Sequence, residues 1–259
     1  MNSCPAISWL VCSNVSNQNL HRAINSCFEQ SFTDFELILV ANGPQSADVA
    51  DGVARAFGRD ERLRVIQTDV RHLIFSLNLG LHYAKADLIA RMDADDLAYP
   101  ERLSKQFQFM KEHPEVAVLG TAYDRIDLDD HVIDHVEQPL RDRDIRRALL
   151  LGNPFCHPSV VFRRQIIIEV GGYLGSLHAE DYDLWSRLAL NRSLKFANLK
   201  DPLIGYRAIP SGGARRARLA YAAVAGTQWR NFVAGGGLTW AGAALLSTLK
   251  ASVLSRPAD

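Results

Sequence analysis

Apolar residues in the first part of the chain fall into short unbroken runs, separated by segments where they recur every three or four positions. The runs Ile7–Cys12, Phe35–Ala41, Leu63–Gln67 and Asp87–Met92 are rich in β-branched and aliphatic side chains, as strands buried on both faces require. Between the first two, Leu20, Ala23, Ile24, Cys27 and Phe28 repeat at helical spacing and predict one buried helix face. A second helix is expected to take Ser46 as its cap and to stop at Gly58. Strands alternating with helices imply right-handed crossovers and a mainly parallel sheet, so the expected class is α/β with a Rossmann-like core.

The pattern then changes character. Pro100 is expected in the first turn of a helix lined by Leu103, Phe107 and Met110 and ending before Pro114. Val116–Thr121 and Val132–Val136 read as strands connected through the acidic turn Asp127–Asp130. A further helix is expected over Asp181–Leu190, with Leu184, Trp185 and Leu188 on one face. No repeat, low-complexity tract or Pro/Ser-rich linker divides the chain, which favours one continuous domain over two.

Composition excludes more than it identifies. Lys+Arg and Asp+Glu both number 29, and the 47% hydrophobic and 22% charged fractions are those of an ordinary globular chain. There is no basic excess of the kind a nucleic-acid binder shows, so no nucleic-acid partner is expected. The one dense basic run, Arg215, Arg216 and Arg218, reads as a solvated helix face. Cys4, Cys12, Cys27 and Cys156 are too dispersed for a zinc site or a disulfide framework, and free thiols suit a cytoplasmic location. The first residues lack a signal-peptide pattern. Leu238–Leu254 is apolar but too short and too rich in Gly, Ser, Thr and Lys for a span. Two readings stay open for it: a helix resting on a membrane or partner, and a helix packed on the protein surface.

The strongest chemical signal is Arg91-Met92-Asp93-Ala94-Asp95-Asp96, which follows an apolar strand and precedes Pro100. Carboxylates at the end of a parallel strand point into the crevice where such sheets bind ligands. Three acids within four residues, with no basic partner apparent nearby, call for a cation, and hard oxygen donors select Mg²⁺ or Mn²⁺. An EF-hand would need an acid at Leu97 and a glycine at Ala98, and an aspartyl-phosphatase a Thr or Val at Leu97. The bland alternative is an acidic turn that caps the next helix. The second signal is His178-Ala179-Glu180-Asp181 at a helix start, where Asp181 is either a cap or a general base.

Further segments give these clusters a context. They are Leu20-x-x-Ala23-Ile24-x-Ser26 leading to Gln30-Ser31, Asp34-Phe35-Glu36-Leu37-Ile38-Leu39-Val40 and Ala84-Lys85-Ala86-Asp87. Pro100-Glu101-Arg102-Leu103, Asn153-Pro154-x-x-His157-Pro158-Ser159, Gly171-Gly172-Tyr173, Glu180-Asp181-Tyr182-Asp183-Leu184-Trp185 and Tyr206-Arg207 follow in order. From Ile7 to Arg207 the chain resembles the family 2 glycosyltransferases of the GT-A fold. The resemblance implies a metal-dependent, inverting transfer of a hexosyl or N-acetylhexosaminyl group. The expected donor is a nucleotide diphosphate sugar, UDP-linked, and the acceptor is a glycan or glycolipid hydroxyl of a surface polysaccharide or lipopolysaccharide.

The same resemblance divides the chain into a nucleotide-sugar half (1–100), an acceptor-side half (101–210) and a C-terminal helical extension (211–259). It gives Asp95 and Asp93 to the metal, as the family's D-x-D motif, and makes Asp181 the catalytic base. Ser13, Asn14, Asn42, Arg71, Asn78, Arg91 and Asp93 fall on the nucleotide sugar, and His157 and Glu180 on the acceptor side. Core hydrogen bonding is an equal reading for Arg71, Asn78 and His157. Contact with the cytoplasmic face of the inner membrane would run through the C-terminal helices.

The chain departs from the family pattern in three places. Asn42-Gly43-Pro44 stands where an Asp before Gly-Ser is common, so the base contact loses its strict demand for uracil. Val11-Cys12-Ser13-Asn14 lacks the usual Pro and Tyr, and Ile209 replaces a His. Two other functions compete. A nucleotidyltransferase would carry a Gly-rich basic loop after the first strand, where Ser13 to Leu20 has no Gly, Lys or Arg. A non-catalytic sugar-nucleotide-binding relative would be expected to lack Asp95 or Asp181.

Overall fold

The computed structural model describes residues 4–175, 178–208 and 213–253, and the side chains of all but 213–217 among these. Strands β1 (Ile7–Ser13), β2 (Phe35–Asn42), β3 (Leu63–Thr68) and β4 (Leu88–Asp93) pair in parallel in the order β3-β2-β1-β4. Their unbroken hydrophobicity has a direct cause. Trp9, Val11, Leu37 and Leu39 enter one core layer while Leu10, Ile38 and Val40 enter the other, so both faces of the central strands β1 and β2 are covered, while β3 at the edge is only half-buried.

Helix α1 (Gln18–Phe28) starts at Asn17, whose side chain accepts from the Leu20 N–H at 2.9 Å, and buries Leu20, Ala23, Ile24 and Cys27. Helix α2 (Ser46–Phe57) begins one residue differently from the expectation. Gln45 is the cap residue, and Ser46 is already helical, its N–H donating to Gly43 across a turn in which Gly43 has φ +86°. Helix α3 (Leu73–Tyr83) lies close over β1: a Cβ on Gly80 would stand 2.1 Å from Leu10 Cδ1.

After the two-residue strand β5 (Leu97–Ala98), helix α4 runs Arg102–Glu112 with Glu101 as its cap residue, so Pro100 precedes the helix instead of opening it. The Pro100 carbonyl instead accepts the Ser31 N–H at 2.9 Å, which ties the α1 exit to this turn. Strand β6 (Val116–Ile126) extends past its predicted end, and β7 (Val132–Val136) pairs with it antiparallel across the expected Asp127–Asp130 turn. Helix α5 (Asp142–Ala148), β8 (Val161–Arg163), α6 (Arg164–Glu169), α7 (Glu180–Leu188) and the long β9 (Lys195–Arg207) follow.

Strand β8 bridges β4 to β6 antiparallel, β9 runs parallel to β6, and β5 closes the edge against β9. The extended ladders are therefore parallel, with antiparallel joints between them. Helix α8 (Gly213–Asn231) packs on α7: Gln228 donates to the Tyr182 hydroxyl at 2.8 Å and Arg230 pairs with Asp183 at 2.6 Å. Helix α9 (Leu238–Val253) folds back along α8. Among the described residues no helix is long and apolar enough to cross a membrane. Ile209, Arg215, Arg216 and Leu254 lie outside the described residues or side chains.

Candidate active site

The parallel ladder delivers the acid cluster. Asp93 is the last residue of β4, in register with Cys12 of β1, and the turn to β5 carries Asp95 and Asp96. Each of the three carboxylates offers an oxygen within 4.8 Å of the others. Asp96 is buried, with Oδ1 accepting from the Arg207 N–H at 2.8 Å and Oδ2 without a partner. Burial and then the neighbouring Asp93 push both the Asp95 and Asp96 carboxyls above the usual carboxylate range.

The cluster does have a basic partner, contrary to the expectation. Arg91, 3% exposed, reaches forward along its own strand and its Nη2 donates to Asp93 Oδ1 at 2.5 Å. Residues i and i+2 share a face of a strand, so the pairing is implicit in Arg91-Met92-Asp93. Arg91, with an Arg207 that is itself paired with Asp130, leaves the three carboxylates with an excess of negative charge. The Arg91 Nε and Nη1 have no hydrogen-bond partner and contribute to the electrostatics of the cleft. The hard oxygen donors, the unpartnered Asp96 Oδ2 and the raised carboxyls together fit a divalent cation.

Across from Asp93 stands the second carboxylate pair. A cleft of about 490 Å³ is lined by Arg91, Asp93, Asn153, His157, Glu180 and Asp181, among others. Ala179 is the cap residue of α7, and Asp181 lies inside the first turn, accepting from the Tyr182 N–H at 2.7 Å and from Asn153 Nδ2 at 2.5 Å. Leu184, Trp185 and Leu188 are fully buried and fix the helix that carries it. Burial raises the Asp181 carboxyl, against the lowering pull of those hydrogen bonds and of Arg91. Glu180 is raised by burial and then by Asp181.

His157 is buried behind this pair, with Nε2 2.9 Å from the Tyr173 hydroxyl and Nδ1 3.9 Å from Glu180. Burial and the Arg91 charge hold its pKa well below that of a free imidazole, so it is neutral. Asn78, expected on the nucleotide sugar, does not line the cleft that gathers Ser13, Asn14, Asn42 and Arg71. Its Nδ2 donates to the Tyr173 carbonyl at 2.8 Å and its Oδ1 accepts the Tyr173 N–H at 2.9 Å. Both ends of the amide clamp a turn whose Gly172 has φ +72°, and a Cβ there would lie 2.5 Å from Asn78 Oδ1.

Ser13, Asn14, Asn42 and Arg71 do come together, with Cys12, His72 and Leu73, around a second cleft of about 280 Å³. Leu73 lines both clefts, so the two are neighbours. The Asn14 carboxamide, with its oxygen toward Arg71, accepts from Nη2 at 3.0 Å and Nε at 2.9 Å. The Ser13 hydroxyl donates to the Val15 carbonyl at 2.8 Å.

Three residues that the sequence reading quoted without a role hold the site together. Asn153 positions Asp181. Arg207 binds the Asp95 carbonyl at 2.7 Å, the Asp127 carbonyl at 2.5 Å and the Asp130 carboxylate, joining the acid cluster to the β6–β7 turn. Arg102, fully buried over the Trp9 ring, donates to the Arg91 carbonyl at 2.7 Å, and burial brings its pKa down to about 10. All three lay within the quoted motifs, but their partners are distant in sequence or on the backbone.

A β3-β2-β1-β4 parallel sheet with a D-x-D cluster at the end of β4 and a carboxylate pair facing it is the arrangement of a GT-A glycosyltransferase. Residues 8–171 match the family model described as Glycosyl transferase family 2, and the chain belongs to that family. It is 32% identical over 213 residues to the O-antigen biosynthesis glycosyltransferase WbnJ of Escherichia coli, covering 82% of each chain. It is 35% identical over 193 residues to the amylovoran biosynthesis glycosyltransferase AmsE of Erwinia amylovora, covering 74% of this chain and 71% of AmsE. In fold it is similar to the Pyrobaculum calidifontis mannosyltransferase PcManGT solved with GDP-Man and Mn²⁺, with TM-score 0.64, 15% identity, and coverage of 98% of this chain and 74% of that one. Similarity to S. aureus TarS 1–349 with UDP-GlcNAc gives TM-score 0.62 at 16% identity, over 86% of this chain and 66% of the TarS chain. The nucleotidyltransferase alternative gives way to this membership.

Proposed function

We propose that this glycosyltransferase moves a hexosyl or N-acetylhexosaminyl group, with inversion, from a UDP-sugar to a hydroxyl of a surface-polysaccharide glycan. The observation that carries the reading is that one cleft is lined by both Asp93 of the acid cluster and the anchored carboxylate of Asp181. WbnJ and AmsE, named for O-antigen and amylovoran biosynthesis, support the polysaccharide assignment. A further relative, 24% identical over 204 residues, is named a UDP-Gal:GlcNAc-diphosphoundecaprenol β-1,3-galactosyltransferase and supports a uridine donor and a lipid-linked glycan acceptor.

In this reading Ser13, Asn14, Asn42 and Arg71 bind the nucleoside end of the donor, and Arg91 sets the charge beside its diphosphate. Asp93 and Asp95 would hold a divalent cation, Mn²⁺ or Mg²⁺, which when bound offsets the negative charge of a leaving diphosphate. Asp181 accepts the proton of the acceptor hydroxyl as its oxygen bonds to the anomeric carbon, while the bond from that carbon to the diphosphate breaks on the opposite face. A base needs a fixed position and a proton affinity above that of a free carboxylate. Asn153 and the α7 packing support the first, and burial the second.

In this reading His157 and Glu180, which line the same cleft as Asp181, face the acceptor. Asn78 acts in this reading on the Gly172-Tyr173 turn behind them, not on the donor. The test is a panel of nucleotide sugars assayed for binding and for slow hydrolysis, with and without Mn²⁺ or Mg²⁺. Metal-dependent binding of a UDP-sugar is expected, and binding of no nucleotide sugar would overturn the reading.

A further inference from the structure

Helix α9 presents an apolar side to solvent. Trp240, Ala243, Ala244 and Ser247 are its buried positions. On the opposite side Leu238, Leu245, Leu249 and Val253 are 81%, 55%, 62% and 68% exposed. Their spacing of seven and then four residues aligns them in one stripe, which exposed Leu246 widens. A surface helix ordinarily carries polar residues there, and a contiguous apolar stripe marks a surface that something covers.

Charge identifies the cover. Residues 202–258 contain no Asp or Glu, although the chain as a whole balances 29 acids with 29 bases. Helices α8 and α9 carry Arg215, Arg216, Arg218, Arg230 and Lys250 in sequence. Beside the start of α9, a cleft of about 500 Å³ is lined by exposed Arg143, Arg147, Arg192 and Lys195 together with Thr239 and Trp240. Asp142, the one acid lining this cleft, is shared by Arg146 at 2.9 Å and Lys195 at 3.9 Å, and Asp144 outside it reaches Arg147 at 3.8 Å, so cations remain in excess. Leu238, the first residue of the stripe, adjoins Thr239 of this cleft.

We propose that this surface docks on an anionic lipid bilayer. The leucine stripe enters the boundary between headgroups and acyl chains, and the basic cleft takes lipid phosphates. A second copy of the chain is the poorer occupant, because pairing the stripe with itself would bring two acid-free, cationic hairpins together. The orientation has a consequence for the enzyme. Ala220 of α8 lines the cleft proposed as catalytic, so docking through the α8–α9 hairpin tethers that cleft to the membrane.

The experiment is co-sedimentation of the purified full chain with phosphatidylcholine vesicles, with and without phosphatidylglycerol. Binding is expected only with phosphatidylglycerol and is weakened by salt. Leu245→Asp with Leu249→Asp should lower partitioning about 10-fold or more, and Arg143→Glu with Arg192→Glu by about 5-fold or more. Thermal melts of both variants should match the parent, since the substituted side chains are exposed. Absence of binding to phosphatidylglycerol vesicles at low salt overturns the proposal, as does binding unchanged by the leucine substitutions. Light scattering covers the remaining case: a dimer dissociated by those substitutions, without vesicle binding, would assign the stripe to a second copy.

Discussion

The two sides of the candidate catalytic cleft are built in opposite ways. On the side proposed for the donor, Asp93, Asp95 and Asp96 arrive together from one strand end: the β1–β4 ladder sets Asp93, and Arg207 ties down the turn that carries Asp95 and Asp96. On the side proposed for the acceptor, Asp181 comes from α7, its hydrogen-bond partner Asn153 from a loop 28 residues earlier, and the turn behind it from Gly172-Tyr173 clamped by Asn78, 95 residues before. The electrostatics differ as well. The acid cluster has Arg91 in direct contact, whereas Asp181 has a neutral amide, a backbone N–H, His157 at 4.0 Å, the neighbouring Glu180 and the more distant charge of Arg91. A site for a cation needs surplus negative charge in one place. A base needs a single carboxylate kept rigid and slightly reluctant to ionise.

The comparison breaks most visibly at Asp95. Asp95→Ala, or excess chelator, should lower transfer on the order of 10³-fold or more with the fold intact, because stabilisation of the leaving diphosphate is lost. Full activity in chelator would remove the metal from the donor side. Asp181→Asn should lower turnover by roughly 10²- to 10⁴-fold while donor affinity, read by calorimetry, stays near that of the parent. An Asn at this position retains hydrogen bonding but not proton acceptance, so near-normal turnover would reduce Asp181 to a structural role.

The pH profile sharpens the same contrast. Burial raises the Asp181 carboxyl, so it keeps its proton to a higher pH than a free Asp. Turnover should therefore fall, as pH drops, through a value above the ordinary carboxylate range, and Asp181→Asn should abolish that limb. An acid limb unchanged in the variant would place the titrating group elsewhere.

Smaller effects separate support from contact. Asn78→Ala leaves both backbone groups of Tyr173 without their partner and should cost about 1–3 kcal/mol of stability, with donor affinity unchanged. A selective loss of donor binding, without a change in melting temperature, would return Asn78 to the donor site. Asn42→Asp should retain or tighten a uridine nucleotide and weaken a cytidine one, since a carboxylate accepts from the uracil N–H but cannot donate to the cytosine ring nitrogen. Equal affinities before and after would show that Asn42 does not touch the base.

Local pattern was sufficient wherever neighbours in sequence are neighbours in space. The parallel core followed from runs of residues buried on both faces, the acid cluster from four consecutive positions, and the apolar face of α7 from Leu184, Trp185 and Leu188. Even the Arg91–Asp93 pair was implicit in the two-residue period of a strand. Only the tertiary structure decided the rest. Strand β9 carries Lys200, Asp201 and Pro202 in its middle, which local propensity reads as a break, and it is a strand because β6 lies alongside and absorbs the irregularity in register shifts near Thr121 and Ala122. The roles of Asn153, Arg207 and Arg102 depend on hydrogen bonds to partners brought near by chain reversal. A side chain's type states what it can donate or accept, whereas the fold determines which group stands within 3 Å of it.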